Sequence, residues 1–437
     1  MIESTLLSAD QVAARLGVKL PTVYAYVSRG VLHRTVATDG RTSQFDPAEV
    51  EALARRGRPR GGTPRVGTVD VSLATSITGI LDNRLVYRGR DATELAATST
   101  FESVAELLWT GELPAHPVWP AVSSDATVAG VPTSIRRLLP EASPAAERFA
   151  ATAAALACAQ PLRVDVRPEA VQQHARLLLG AFVDVLPLVG DTTAAGARSS
   201  ARSRSTSPSI PADRGSATAA RSQRLASRLW PRVSPRSATR AGVAVLEAAL
   251  ILLADHELAT STLAARVAAS TRADPYSVVL AGLGAVSGPL HGKAALRAHQ
   301  LLLDARTAPD PAHAVARVLS GGGRVPGFGH PVYAGIDPRA ACLLERLGPV
   351  TRAADRRVIE GVMAASATSE VPEPNVDFAL GALAFATGMP LGATEAVFAL
   401  ARTAGWIAHA LEEYAESPLR FRARAIYVGS PPHPNFA

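Results

Sequence analysis

The sequence is organised around GGGRVPGFGHPVYAGIDPR, which runs from Gly321 to Arg339. Three glycines open this stretch, and a second glycine-rich turn, Gly327 to Gly329, leads directly to His330. Asp337 followed by Pro338 predicts a helix start with Arg339 in its first turn, because Asp is a good N-cap and Pro suits the first helical position. Glycine lets the backbone approach a ligand closely, so a His and an Arg presented after such a loop can face one small anion. A surface turn before an ordinary helix is the alternative.

Three further polar residues lie at predicted helix ends. His256 stands between two acids after the apolar segment AGVAVLEAALILLA, and a new helix is expected to begin at Ser261 or Thr262. His291, in SGPLHGKA, lies next to a helix start, where the positive end of the helix dipole disfavours an imidazolium. Asp377, in EPNVDFALGAL, lies in the first turn of a helix, where the same dipole favours an ionised carboxylate. Polar groups clustered beside apolar helices are costly unless they are paired or serve a ligand. For each of these residues, a capping or core role is the alternative.

Two arginines in the C-terminal region are also candidates for an anion site. Arg402 lies within the apolar segment TEAVFALARTAGWIAHALEEY. A charged residue among Phe, Leu and Trp needs an anionic partner, which is either a ligand or a structural carboxylate. Arg422 lies in LRFRARAIYVG, a short extended tail beyond the last long helix.

Together these motifs resemble the citrate synthase family. GFGHPVYAGIDPRA, SGPLHGKA and EPNVDFALGAL carry the resemblance, and ADHELATST, RARAIYVG and ITGILDNRLVYRGRDATELA extend it over roughly residues 66–437. The resemblance implies a mainly α, all-helical fold of a large and a small domain that close over the substrate. The expected divisions are a large domain over 66–290, a small domain over 291–388, and a C-terminal part of the large domain over 389–437.

The resemblance also implies an activity, in which acetyl-CoA condenses with oxaloacetate and the citryl-CoA intermediate is hydrolysed to citrate and CoA. In that reaction Asp377 removes a methyl proton, His291 donates to the thioester oxygen, and His330 polarises the keto group of oxaloacetate. The implied oxaloacetate-binding residues are His256, Arg339, Arg402 and Arg422. The implied coenzyme A cradle is the backbone of Arg324, Val325, Pro326 and Gly327. No metal and no tightly bound cofactor is implied. The implied assembly is a homodimer, with Arg422 reaching into the partner's site.

The sequence departs from the family pattern at three places. Gly292-Lys293-Ala294-Ala295 stands where the family often has Gly-Gly-Ala-Asn, and Pro331 follows His330 where Arg is frequent. The tail has Arg422-Ala423-Arg424-Ala425 where Arg-Pro-Arg-Ala is usual. A 2-methylcitrate synthase using propionyl-CoA stays open, because one methylene in a pocket is invisible in the sequence. A metabolite-sensing DNA-binding regulator built on the same body is the other alternative.

Residues 1–57 predict a separate small unit, followed by a Gly/Pro/Arg linker over 58–65. Ser8 can cap a first helix, ADQVAARL, and Pro21 opens a second, PTVYAYVSRG. Asp39-Gly40 marks a hairpin. Two helices and a hairpin indicate a winged helix-turn-helix, and the unit resembles the MerR/excisionase-like DNA-binding fold. A protein-docking appendage of the same shape is the alternative, since the second helix has a single basic residue, at its end.

Composition restricts the remaining function classes. The net charge is +7, but ten arginines and one acid lie between Arg198 and Arg240, so the basicity belongs to one segment. Residues 192–224 are rich in Ser, Ala, Arg and Thr and predict a mobile loop, with a polyanion-binding strap as the alternative. Two cysteines are too few for a disulfide framework. No signal peptide or membrane-spanning run is visible, and a cytoplasmic location is expected.

Overall fold

The computed structural model describes residues 6–16, 18, 20–28, 32–36, 43–47, 49–50, 71–190, 224–333, 335–369, 371–422 and 429. Two compact units make up the chain, Met1–Ala74 and Thr75–Ala437. The predicted linker over 58–65 lies outside the described residues, and so does the predicted loop over 192–224 except for Arg224.

The described residues of the first unit form two short helices, a small antiparallel sheet and a few helical residues at 47 and 49–50. In chain order its elements are β1 (Leu7–Ser8), α1 (Ala9–Leu16), α2 (Leu20–Ser28), β2 (Arg34–Val36) and β3 (Ser43–Phe45). The strand order is β1-β3-β2, and both pairings are antiparallel. Ser8 and Gln11 cap α1 reciprocally, each backbone amide donating to the other's side-chain oxygen. The unit's small core consists of Ala9, Val12, Val23, Leu32, Phe45 and Val50.

The second unit begins with an antiparallel sheet of order β4-β5-β6. Its strands are β4 (Thr78–Leu81), β5 (Arg84–Tyr87) and β6 (Arg90–Asp91). Asp82 and Asn83 form the turn between β4 and β5 with φ of 48° and 64°. Asp and Asn tolerate the left-handed backbone that such a hairpin turn requires.

The rest of the second unit is helical. The helices are α3 (Ala92–Thr98), α4 (Phe101–Thr110), α5 (Val131–Leu138), α6 (Ala145–Ala159), α7 (Pro168–Val185), α8 (Leu225–Val233), α9 (Arg240–Leu253), α10 (Thr260–Ser270), α11 (Pro275–Val286), α12 (Ala294–Thr307), α13 (Pro311–Ser320), α14 (Pro338–Arg346), α15 (Ala353–Thr368), α16 (Val376–Thr387) and α17 (Ala393–Ala415). Short 3-10 segments occur at Val122–Ser124, Pro161–Val164 and Gly348–Val350. No helix in the described part of the chain is long and apolar enough to cross a membrane.

Helix starts follow the capping residues of the sequence in most places. Thr100, Thr239 and Asp274 each accept a hydrogen bond from a first-turn amide. The start of α10 is different. It begins at Thr260 after an extended Ala259, so the prediction of an N-cap at Ser261 or Thr262 is wrong. Both of those side chains are buried within the helix, where they face other elements rather than the helix end.

Helix α17 runs through the core of the second unit and packs against α10, α11, α7, α9 and α4. Its close approach to the end of α9 depends on Gly405. A Cβ there would lie 2.4 Å from Asp255 Oδ1, and the Gly405 amide donates to Ala254 O at 3.1 Å. This approach brings Arg402 beside the turn that carries His256, since Arg402 Nε donates to Leu253 O at 2.9 Å.

Candidate active site

Two loops distant in sequence are joined by backbone hydrogen bonds. Gly329 N donates to Glu373 O at 2.8 Å, and Asn375 N donates to Gly327 O at 2.9 Å. Asn375 Nδ2 also donates to Gly329 O at 2.8 Å. His330 follows one of these loops and Asp377 the other, so the bonds hold the two side chains in a fixed relation.

Gly327 is required at this junction for two reasons. Its φ is +83°, a conformation that side chains disfavour, and an added Cβ would lie 2.7 Å from Phe378 Cβ. The first turn of α16 therefore rests directly on the glycine backbone. The rings of Phe328 and Phe378 lie 4.8 Å apart beside it and exclude water from this junction.

Arg339 is buried and held by its own N-cap residue. Its Nε and Nη2 donate to the two carboxylate oxygens of Asp337 at 3.0 and 2.8 Å. Asp337 Oδ2 also accepts from Val376 N at 3.0 Å, which ties α14 to α16. Two nitrogens of the Arg339 guanidinium are thus committed to Asp337, and Nη1 is left without a hydrogen-bond partner among the described residues.

His330 receives a hydrogen bond that fixes its tautomer. Val332 N donates to His330 Nδ1 at 3.0 Å, so a neutral ring carries its proton on Nε2. Arg339 Nη2, which can only donate, lies 3.5 Å from Nε2, at the long limit of a hydrogen bond. The Val332 bond is the shorter of the two, so we assign the proton of a neutral His330 ring to Nε2.

His256 completes a cluster of aromatic rings with His330 and Tyr333. The two histidine rings are 5.2 Å apart, and His256 Nε2 lies 2.9 Å from the Tyr333 hydroxyl. Tyr333 also packs against Arg339, whose guanidinium lies 5.4 Å from the ring centre. Burial, together with the charges of Arg339 and Arg402, lowers the pKa of His256 well below its ordinary value. His256 is therefore a neutral hydrogen-bonding group.

Arg402 is buried without an anionic partner in the described chain. Its Nε donates to Leu253 O, and its guanidinium lies 4.8 Å from the centre of the Phe398 ring. Neither Nη1 nor Nη2 has a hydrogen-bond partner among the described residues. Burial lowers the pKa of Arg402, and the negative charge of Asp255 opposes that shift. A buried guanidinium with an open edge is suited to bind a carboxylate.

His291 also packs against Phe398, with ring centres 5.7 Å apart. Its Nε2 lies 2.9 Å from the Ser261 hydroxyl, which leaves Nδ1 for a ligand. Burial, with a contribution from the charge of Arg402, lowers the pKa of His291 to about 4. Burial and the charge of Arg402 thus both favour the neutral imidazole that the sequence predicts. The helix that follows, α12, begins at Ala294, three residues beyond the His.

Asp377 lies in the first turn of α16, and Asn375 caps that helix. The Asp377 carboxylate accepts no hydrogen bond from any described residue. Burial raises its pKa to about 6, against the opposing charges of Arg339 and Arg402. The group is therefore still mostly ionised near neutral pH, although burial acts against ionisation. A carboxylate without partners and with a raised pKa is suited to act as a base.

The remaining predicted residues lie away from this cluster or at its edge. In the turn before His330, Arg324 is exposed, Val325 is buried, and Pro326 and Gly327 are partly exposed. Arg422 is exposed and forms no hydrogen bond or ion pair with any described residue, whereas Arg420 forms a two-bond pair with Glu413 at 2.7 and 2.6 Å. Of these two arginines, Arg422 is the one that is available to a ligand or a second chain.

Three functional neighbours were missed from the sequence. Tyr333 contacts His256, Ser261 contacts His291, and Asp337 holds Arg339 as well as capping its helix. Tyr333 and Asp337 lie within the opening stretch, so their proximity to His330 and Arg339 was a usable signal. Ser261 had none, since only the packing of α10 brings it to His291.

The described geometry defines a class of site: loops and helices distant in the sequence bring together three histidines, two buried arginines and one carboxylate without a hydrogen-bond partner among the described residues. Such a set is suited to acid–base chemistry beside carboxylate-binding groups. The family profile described as "Citrate synthase, C-terminal domain" matches residues 67–424. The chain belongs to the citrate synthase family.

Individual relatives agree with this assignment. The chain is 38% identical over 206 residues to the citrate synthase of Saccharolobus solfataricus, covering 44% of this chain and 54% of that protein. It is 27% identical over 364 residues to the 2-methylcitrate synthase of Shewanella oneidensis, covering 82% and 92%. A ternary complex of Thermoplasma acidophilum citrate synthase with carboxymethyl coenzyme A and oxaloacetate is similar in fold, with a TM-score of 0.59, 25% identity, and coverage of 84% of this chain and 95% of that one. The chain spans about half the length of several curated relatives that it matches.

Proposed function

We propose that this protein is a citrate synthase, which condenses acetyl-CoA with oxaloacetate and releases citrate and CoA. The observation that carries the proposal is the Asp377 carboxylate, which has no hydrogen-bond partner in the described chain and a pKa raised to about 6. It lies within the electrostatic reach of Arg339 and Arg402. A base next to groups that bind carboxylates is what an aldol-type condensation onto a keto acid requires.

In the first step Asp377 removes a proton from the acetyl methyl group while His291 donates from Nδ1 to the thioester oxygen. The two must act together because a thioester α-proton is weakly acidic. Ser261 supports this tautomer, since its hydroxyl can donate to Nε2 of the neutral ring. The resulting enol carbon forms the new bond to the keto carbon of oxaloacetate.

In the second step His330 polarises the keto group through its Nε2–H, so that the oxygen takes up charge and then a proton. The backbone amide of Val332 keeps that proton on Nε2 by donating to Nδ1. Water then attacks the thioester carbonyl, the carbon–sulfur bond breaks, and citrate and the CoA thiol leave.

Oxaloacetate is held by the open guanidinium edges and the neutral His256. Arg402 offers both terminal nitrogens, Arg339 offers Nη1, and Arg422 of a second copy completes the set in a homodimer. A dicarboxylate matches such forks in both geometry and charge. The backbone at 324–327 is the proposed cradle for coenzyme A, supported by its glycine-rich character and by the family resemblance.

The domain divisions and the location remain proposals of the same kind. We assign 66–290 and 389–437 to a large domain and 291–388 to a small domain, and we place the protein in the cytoplasm. Residues 1–57 are proposed to be a MerR-like winged helix-turn-helix unit, and DNA is its proposed partner. The order of helices and strands in its described residues supports that shape, and a docking appendage remains the alternative.

The activity is tested by measuring free CoA thiol released from acetyl-CoA with and without oxaloacetate. Release that depends on oxaloacetate, and that disappears in Asp377→Asn, supports the proposal. Arg167→Ala, which removes an exposed arginine paired with Asp165, is a matched control and should behave like the wild type. Oxaloacetate-independent release, or none with any acyl-CoA, contradicts it.

A 2-methylcitrate synthase is the second candidate, because a relative of that name matches 82% of this chain. The same assay with propionyl-CoA separates the two functions. A kcat/KM for propionyl-CoA above that for acetyl-CoA would assign the protein to the second function, and the reverse ratio to the first.

The proposed partners need two separate experiments. Deleting residues 1–60 should leave the synthase activity largely intact, and the full chain should retard duplex DNA with a steep dependence on salt. Absence of retardation at low salt favours the docking alternative.

For the homodimer, Arg422→Ala and Asp377→Asn chains are folded together. If Arg422 acts in the partner's site, half of the dimers are mixed with one intact site each, so about a quarter of wild-type activity returns. No recovery with mixed dimers present excludes a shared site.

A further inference from the structure

A continuous buried network runs from the residue before His256 to the C-terminal segment. Asp255 is fully buried, and its Oδ2 accepts from Thr78 Oγ1 at 2.5 Å and from His409 Nε2 at 3.0 Å. His409 Nδ1 accepts from Arg266 Nη1 at 2.9 Å. Because Arg266 can only donate, a neutral His409 carries its proton on Nε2 and directs it at Asp255.

Arg266 carries the network onward to the end of α17. It is fully buried, and its Nε donates to Glu413 Oε2 at 3.0 Å while Nη1 donates to Glu412 Oε2 at 2.6 Å. A buried guanidinium with two carboxylates and an imidazole around it is held in one geometry, since losing any partner leaves a buried charge uncompensated. Glu413 is therefore a fixed point rather than a mobile surface carboxylate.

Arg420 docks onto that fixed point. Its Nε and Nη2 donate to the two oxygens of Glu413 at 2.7 and 2.6 Å, and its side chain is 27% exposed. The Leu419 amide donates to Ser270 O at 2.8 Å beside it. These bonds fix the chain immediately before Arg422, which is itself exposed and forms no hydrogen bond or ion pair with any described residue.

We infer that Arg420 is a positioning residue, which anchors the C-terminal segment on Glu413 so that Arg422 leaves the body of the protein at a fixed place and direction. The inference rests on the proposed function in one respect, namely that Arg422 binds a substrate carboxylate. Nothing in the reaction requires Arg420 itself to touch the substrate. Because Arg420 already orders the C-terminal segment in the free protein, binding of the substrate to Arg422 does not carry the entropy cost of ordering that segment.

The kinetic test is a double-mutant cycle on Arg420 and Arg422. Arg420→Ala should raise the KM for oxaloacetate about tenfold, the value expected when a charge-assisted pair that orders a binding group is lost. In the Arg422→Ala background the same substitution should change KM less than about twofold, because the residue acts only through Arg422. Arg420→Lys keeps the charge without the two-bond fork and should fall between Ala and wild type. Arg167→Ala is again the matched control.

Two kinetic outcomes overturn the inference: an unchanged KM in Arg420→Ala, or an effect that adds fully to that of Arg422→Ala. A structural arm keeps the test separate from the proposed activity. Hydrogen exchange of the peptide covering 416–422 should be faster in Arg420→Ala, as the Leu419 amide loses its protection, and unchanged in Arg167→Ala. If Arg422→Ala has no effect on oxaloacetate, the role of Arg422 fails, but faster exchange still supports the anchor. Unchanged exchange overturns the anchor whether or not the protein makes citrate.

Discussion

The loop region around Arg339 and the helix region around Arg402 each bury an arginine, but with different partners. Arg339 is neutralised within its own segment, because it donates two hydrogen bonds to Asp337. Arg402, on α17, has only a backbone carbonyl and the face of Phe398. The positive charge of Arg339 is paired with a carboxylate in the absence of a ligand, whereas no carboxylate is hydrogen-bonded to Arg402. The difference indicates that Arg339 serves both the fold and the ligand, whereas Arg402 contributes less to the stability of the fold and serves mainly the ligand.

The largest effect is expected at Asp377, which resembles Arg402 in that no oppositely charged side chain is hydrogen-bonded to it in the described chain. Asp377→Asn should lower kcat about 10²- to 10⁴-fold, the usual contribution of a general base, while oxaloacetate still binds. A mutant with wild-type kcat would remove Asp377 from the chemistry.

The same substitution should stabilise the fold above neutral pH. A carboxyl whose pKa is raised to about 6 destabilises the folded state when it is ionised. That cost is fully present well above pH 6 and is gone below about pH 4, where the carboxyl is protonated in both states. Asp377→Asn should therefore raise Tm at pH 8 and leave it nearly unchanged at pH 4, as measured by thermal unfolding. An equal shift at both values would contradict the assigned cause.

The next effect concerns the arginine without a partner. Arg402→Ala should weaken oxaloacetate binding by about 2–5 kcal/mol, because a desolvated charge pair loses one member. Its Tm should fall less than that of Arg339→Ala, because no carboxylate is hydrogen-bonded to the Arg402 guanidinium, and Asp255 and Asp377 act on it only through longer-range charge. Calorimetric binding and thermal unfolding measure the two quantities separately. Wild-type affinity would exclude Arg402 from the site, and a large fall in Tm would break its contrast with Arg339.

Arg339→Ala should mainly lower the stability of the fold. Removing it leaves Asp337 buried without its counter-ion, which typically costs about 3–5 kcal/mol of folding free energy. Arg339→Lys is the matched variant, because it keeps the charge but cannot form the two-bond fork. Urea unfolding should rank the proteins as wild type, then Lys, then Ala. If Arg339→Ala unfolds like Arg402→Ala, the two arginines do not differ in the way proposed.

The smallest effect concerns Tyr333, whose hydroxyl lies 2.9 Å from His256 Nε2. Tyr333→Phe removes that bond and keeps the ring against Arg339. The KM for oxaloacetate should rise several-fold, on the scale of about 1 kcal/mol for one hydrogen bond, with kcat nearly unchanged. A fall in kcat with constant KM would instead place Tyr333 in the chemical step.

Much of the site could be predicted because its residues occupy recognisable positions. Asn375 and Asp337 are strong N-caps followed by apolar residues, and Gly327 precedes the His that the loop presents. Such local signals survive in the sequence, because capping and positive-φ glycine depend on neighbours along the chain. The start of α10 could not be predicted in the same way. Ser261 is a good N-cap by type, but burial against other elements places it inside the helix.

The sequence by itself determined the helical class, the capped starts of α14 and α16, and most of the candidate histidines, arginines and carboxylate, but it missed Tyr333 and Ser261 as their neighbours. Only the tertiary structure decided their electrostatic states. Burial raises the pKa of Asp377 and lowers that of His291, and the amount of burial depends on how the helices pack. Burial and long-range charge depend on elements distant in the chain, such as Arg402 on α17 beside Leu253 at the end of α9. Contacts of that kind arise when helices pack, and no local pattern of residues encodes them.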